Sequence, residues 1–121
     1  MNESSLTSQF NKALRDSGCY VVKHVASGMT YVGVPDVLVC SKGRFIGCEM
    51  KIKRGSKLAY TDPQKVNLQL IRNAGGLGVG IAIDITQPPA SRWAVDYIVN
   101  GETAHLEWCS LAGVVKKLLI T

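Results

Sequence analysis

Two acids and a lysine stand out by type and spacing: Asp36 after Pro35, then Glu49 and Lys51 on either side of Met50. The stretches that carry them read as two strands, about 36–40 and 44–52, around Ser41-Lys42-Gly43. If Lys42 and Gly43 make a two-residue loop, Ser41 faces Arg44, and counting back sets Asp36 opposite Glu49. Directly opposed residues hold their Cβ atoms roughly 5 Å apart. Glu49 and Lys51 lie two apart on one strand and so share a face. Val37, Val39, Ile46, Cys48 and Met50 fill the other face. A three-residue loop or a bulge would shift this register.

Two neighbouring carboxylates repel unless a cation sits between them. A small set of oxygen donors suits Mg2+, which keeps several waters. Such an ion polarises a phosphoryl oxygen and lowers the pKa of a bound water, which is the chemistry of phosphodiester hydrolysis. An ammonium such as Lys51 orients that water or stabilises charge developing on the phosphorane oxygens. The backbone carbonyl of Met50 points into the same region as a further metal ligand. The competing reading is a surface ion-pair cluster worth under about 1 kcal/mol. Against it, this is the most apolar hairpin of the chain, where an acidic pair without a task is costly.

The surrounding elements must hold these groups. Leu6, Phe10, Ala13 and Leu14 recur at helical spacing over about 3–17, with Gly18 as a stop. A short strand follows over about 19–26, then a glycine-bearing loop or wide turn over 27–34. A basic loop spans 53–60 and a helix about 63–74. Thr61 and Gln64 match a capping box there, Asp62 is an equally good N-cap, and Gly75-Gly76 ends the helix. Residues 79–85 read as an apolar strand buried on both faces. Farther on, Trp93 to Trp108 alternates around Asn100-Gly101 as a hairpin, with a helix over 91–99 as the competing reading. A helix from Leu111, with Ser110 as its cap, closes the chain. The order α-β-β-β-α-β predicts an α/β fold, a mixed sheet flanked by helices, with a hairpin and helix appended. One domain is expected over residues 1–121, with a core of about 3–85 and a tail of about 86–121.

The chain has 121 residues, a net charge of +5 and an isoelectric point near 9.2. Such a charge favours a polyanionic partner through counterion release. Lys53, Arg54 and Lys57 flank the acidic pair in a loop suited to clamping phosphates, and Lys23 and His24 leave the first strand at the same edge. The polar N-terminus is no signal peptide, and no apolar run reaches the ~20 residues of a membrane helix. A cytoplasmic location is expected, with Cys19, Cys40, Cys48 and Cys109 as reduced thiols in no zinc-like spacing. The Gly75–Gly80 run follows a helix, the wrong context for a phosphate loop. Trp93, Tyr97 and Trp108 suit core or dimer packing better than base stacking.

Val34-Pro35-Asp36 and Glu49-Met50-Lys51 resemble the signature of the PD-(D/E)xK phosphodiesterase superfamily. Gly33-Val34-Pro35-Asp36-Val37-Leu38, Thr61-Asp62-Pro63-Gln64 and Ala74-Gly75-Gly76 resemble most closely the VRR-NUC nucleases, over about residues 3–83. The resemblance implies a restriction-endonuclease-like core, Mg2+ or Mn2+ dependence and DNA as substrate. It implies that Asp36 and Glu49 bind metal, that Lys51 assists the nucleophile and that Gln64 stands beside the site. It points to Glu3 as the first-helix glutamate many relatives use, and to a homodimer acting on branched DNA such as four-way junctions. The expected function is a metal-dependent, structure-selective DNA endonuclease. The alternatives are a non-catalytic nucleic-acid-binding or scaffold protein on this fold, and the cutting subunit of a larger complex.

Overall fold

The computed structural model describes residues 1–25 and 32–120. Along the chain run α1 (Glu3–Asp16), β1 (Tyr20–Lys23), β2 (Val37–Ser41), β3 (Arg44–Ile52), α2 (Asp62–Asn73), β4 (Leu77–Ile83), β5 (Trp93–Asp96) and α3 (Leu111–Ile120). The expected loop over 27–34 lies largely outside the described residues.

The turn between β2 and β3 sets everything that follows. Ser41 pairs with Arg44 and Val37 with Cys48, so the two-residue register holds. Lys42 and Gly43 both take positive φ, 48° and 81°, the backbone of a tight hairpin turn. Asp36 stands one step beyond the last pair, opposite Glu49.

The strands form one sheet in the order β1-β2-β3-β4-β5. The β3–β4 pair is parallel and the others are antiparallel. α1 and α3 cover one face. There Leu6, Phe10 and Leu14 meet Val37, Ile46, Cys48, Met50 and Ile81, and Val114 and Leu118 join them. Phe10 stacks on Trp93 with ring centroids 6.4 Å apart. α2 covers the opposite face, where Leu68 packs with Leu58, Tyr60, Ala82 and Ala94. Small residues let α2 approach: a Cβ at Gly47 would strike Ile71, and one at Gly78 would strike the Leu68 backbone. Of the glycines after α2, Gly75, at φ 95° with open space around it, follows the helix end, whereas Gly76 and Gly78 serve this close packing.

Two expectations need correction. The tail forms no hairpin at Asn100-Gly101. Its first arm becomes β5 and pairs with β4, whereas residues 97–110 make only isolated bridges, Glu102 to Lys57 and Cys109 to Trp93. The competing helix over 91–99 is absent too. β4 offered a free edge and Trp93 and Val95 an apolar face, so pairing into the main sheet buries more than a separate hairpin would. The segment 53–60 is not wholly a surface loop either, because Leu58 and Tyr60 are buried. α3 begins as expected, with the Gly113 N–H donating to Ser110 Oγ over 3.1 Å.

Candidate active site

β3 carries Glu49 and Lys51 on the α2 face of the sheet, and the start of β2 brings Asp36 alongside. The two acids interlock through backbone. The Asp36 N–H donates to Glu49 Oε2 at 3.3 Å, and the Met50 N–H donates to Asp36 Oδ2 at 3.0 Å. Lys51 Nζ lies 4.0 Å from Glu49 Oε1. Gln64, from the first turn of α2, donates its amide Nε2–H to Glu49 Oε1 at 2.7 Å. Asp36, Glu49, Lys51 and Gln64 therefore meet at one point.

Gln64 arrives there because its helix start is fixed. Thr61 is the N-cap, its Oγ1 accepting from the Gln64 N–H, while Gln64 Oε1 accepts from the Thr61 N–H. The two candidate caps are thus resolved in favour of Thr61. Gly33, at φ 87°, lies directly against Pro63, so the segment before Asp36 and the start of α2 are locked together.

Glu49 is only 3% exposed. Burial, with the neighbouring Asp36 charge, pushes its carboxyl up to about 8 against the pull of Lys51. A buried carboxylate held against a second one is a site that gains by receiving a cation. Two carboxylates, one of them lining an open cleft, fit Mg2+, which dehydrates reluctantly and keeps several waters. Among the described residues no three His, Cys, Asp or Glu side chains form a metal-holding group. This leaves Asp36 and Glu49 as a two-carboxylate set, and the four cysteines assemble no zinc site.

The remaining expected residues divide. Glu3, Lys23 and His24 line a cleft of about 220 Å³ with Ser4, Thr7 and Asp36. Glu3 opens α1 in a capped turn, where Asn2 Oδ1 accepts from the Ser5 N–H. The His24 N–H also donates to the Asp36 carbonyl at 2.7 Å. The basic loop is less open than its composition implied. Lys53 pairs with Asp84 at 3.3 Å and Lys57 with Glu102, while Arg54 is exposed. Those acids are 31 and 45 residues away in sequence, so no local pattern could reveal them. Met50 reaches Asp36 through its N–H. Tyr60, which escaped the sequence reading, places its ring 6.0 Å from Lys51 Nζ. Its only sequence signal was an aromatic residue directly before the capping box.

An acidic pair on adjacent strands, a lysine two residues on and helices on both faces have the arrangement of a PD-(D/E)xK nuclease site. Residues 4–95 match the family model of the archaeal Holliday junction resolvase Hjc, and the chain belongs to that family. It is a structure-selective, junction-cutting nuclease of recombination. The superfamily is the expected one, and the family is Hjc. The fold is similar to that of Archaeoglobus fulgidus Hjc, a Holliday junction resolvase from an archaeal hyperthermophile, with a TM-score of 0.63 and 12% identity over 93% of this chain and 98% of that one. Among curated proteins no relative matches. No helix of the described residues is long and apolar enough to cross a membrane.

Proposed function

We propose that the chain cuts four-way DNA junctions at Asp36, Glu49 and Lys51 with a divalent cation, Mg2+ or Mn2+. The single observation that carries this reading is the buried Glu49 carboxyl locked against Asp36. Asp36 and Glu49 would hold the ion, which when bound polarises the phosphate and acidifies a water. The Met50 carbonyl is a further candidate ligand. Its N–H points to Asp36, and in a strand both groups of a residue face the same neighbour. Gln64 holds Glu49 at one rotamer. Lys51 holds positive charge beside the scissile phosphate. Glu3 enters from α1 across the cleft it shares with Asp36. Lys23, His24 and Arg54 contact phosphates around this centre, with Lys53 and Lys57 in support.

A homodimer fits the uncovered part of the sheet. Tyr20, Cys40 and Phe45 make a paired row on the α2 side, all exposed, and Val22 lies in the next row. On α2, Val66 and Leu70 are exposed as well. A second copy covering these residues would put two sites on one junction, one for each strand to be cut. The likeness to VRR-NUC nucleases rests on the Gly33–Leu38 and Thr61–Gln64 runs and implies the same chemistry.

The test incubates purified protein with labelled four-way junction, flap and linear duplex, with Mg2+, Mn2+ or EDTA. Junction cutting is expected with either metal and not with EDTA. Asp36→Asn and Glu49→Gln should abolish cutting and keep junction binding. Unchanged cutting by both variants would refute the site.

A further inference from the structure

Glu49, Gly80 and Asp96 form one row across three strands, Glu49 paired with Gly80 and Gly80 with Asp96. Gly80 itself puts no side chain between the two acids, and the hydroxyl end of Tyr60 fills the place where a Gly80 Cβ would be. Ala82 and Ala94 extend this small-residue seat, and Tyr60 packs with both. Behind it Asp96 is fully buried. Asp96 Oδ1 accepts from the Val99 N–H at 2.9 Å and lies 3.1 Å from His105 Nε2. Burial first, then Asp96 and Glu49, hold the Tyr60 phenol well above its ordinary range, so the ring stays neutral.

Lys51 needs a second support. At 4.0 Å its ammonium is beyond direct hydrogen-bond reach of Glu49 Oε1, and Gln64 already occupies that oxygen at 2.7 Å. A flexible four-carbon stem is not fixed by such a contact. The Tyr60 ring also faces it, at 6.0 Å, the outer edge of cation–π range.

We propose that Tyr60 is the positioning residue for Lys51: its ring face holds the ammonium at the Glu49 side of the site, and the small-residue seat of Gly80, Ala82 and Ala94 fixes the ring. This rests on the reading of Lys51 as the cation of the cutting reaction.

The test has a readout apart from activity. In metal-free protein, NMR of the Lys51 side-chain methylenes should show an upfield ring-current displacement. Tyr60→Phe should keep it and Tyr60→Leu should lose it. No displacement in the wild type, or one that survives Tyr60→Leu, overturns the proposal. In junction cleavage with Mg2+, Tyr60→Leu should lower kcat about tenfold, the equivalent of one cation–π contact. Tyr60→Phe should recover that loss, and KM should stay within about twofold throughout. A rise in KM at constant kcat overturns it. Should Tyr60→Leu not fold, a ring-fluorinated phenylalanine at position 60 keeps the shape and weakens the ring face. Its kcat should fall with fluorination, and a flat series overturns the proposal. Wild-type activity with a fully active Lys51→Ala would instead sink the reading of Lys51, and the positioning role with it. The NMR result would then report the contact alone.

Discussion

Gln64 serves Glu49 with one end of its amide and its own helix with the other. Nε2 donates to Glu49 Oε1 over 2.7 Å, while Oε1 accepts from the Thr61 N–H over 2.9 Å. The side chain that caps α2 is therefore also the one that orients a candidate metal ligand. Gln64→Glu keeps the capping acceptor and loses the donor, and places a third acid at the site. It should lower kcat for junction cutting while α2 remains folded. Gln64→Ala loses both functions and should cost about 1 kcal/mol of stability as well. Steady-state cleavage alongside urea unfolding separates the two, and full activity in Gln64→Glu would remove Gln64 from the site.

Glu49 destabilises the metal-free fold. Its folded pKa of about 8 lies above the ordinary 4.5, so the native state holds a proton that the unfolded chain releases. Between these values the native state binds more protons, and stability falls as pH rises. The effect is small below pH 4.5 and complete above about 8. Glu49→Gln should therefore be more stable than wild type without metal, by an amount that grows across this window to the order of a few kcal/mol. Thermal melts of both proteins at pH 5 and pH 8 in EDTA check this. An equal difference at both pH values would contradict the burial of the charge.

Mg2+ or Mn2+ should reverse that sign. An ion bound by Asp36 and Glu49 competes with the Glu49 proton, so its affinity should rise with pH up to about 8. The same melts with added Mg2+ should stabilise wild type and leave Glu49→Gln nearly unmoved. Equal stabilisation of both would place the ion elsewhere.

Glu3 shares a cleft with Asp36 but is exposed, at the rim rather than in the pair. Glu3→Gln should reduce cutting less than Asp36→Asn does. A loss as complete as that of Asp36→Asn would make Glu3 a full member of the metal set.

Gly33 tests how α2 is held. A Cβ there would come within 2.5 Å of the Pro63 backbone, at a φ that side chains rarely adopt. Gly33→Ala should destabilise by roughly 1–3 kcal/mol and impair cutting by displacing Gln64. The β2–β3 turn offers the opposite case. Lys42 holds φ 48° in a tight turn, where Asn is preferred. Lys42→Asn should stabilise by a few tenths of a kcal/mol, without change in cutting. Urea denaturation of both variants is sufficient.

The amino-acid sequence by itself placed Asp36 opposite Glu49 on the condition of a two-residue turn, and the structure met that condition at Lys42-Gly43. Side chains alternate along a strand and a two-residue turn fixes register, so Ser41-Lys42-Gly43-Arg44 carried enough information to count from. The Thr61–Gln64 capping box was local in the same sense, needing only four consecutive residues. Everything between distant segments was decided by the tertiary structure. Gln64 Nε2 meets Glu49 only because Pro63 docks on Gly33, and Tyr60 reaches Lys51 only because Gly80 leaves space beneath its hydroxyl. Lys53 and Lys57 found acids far along the chain, and Trp93 joined β4 instead of a local hairpin. Such contacts depend on which surfaces bury the most apolar area together, a property of the whole assembled core that no short pattern encodes.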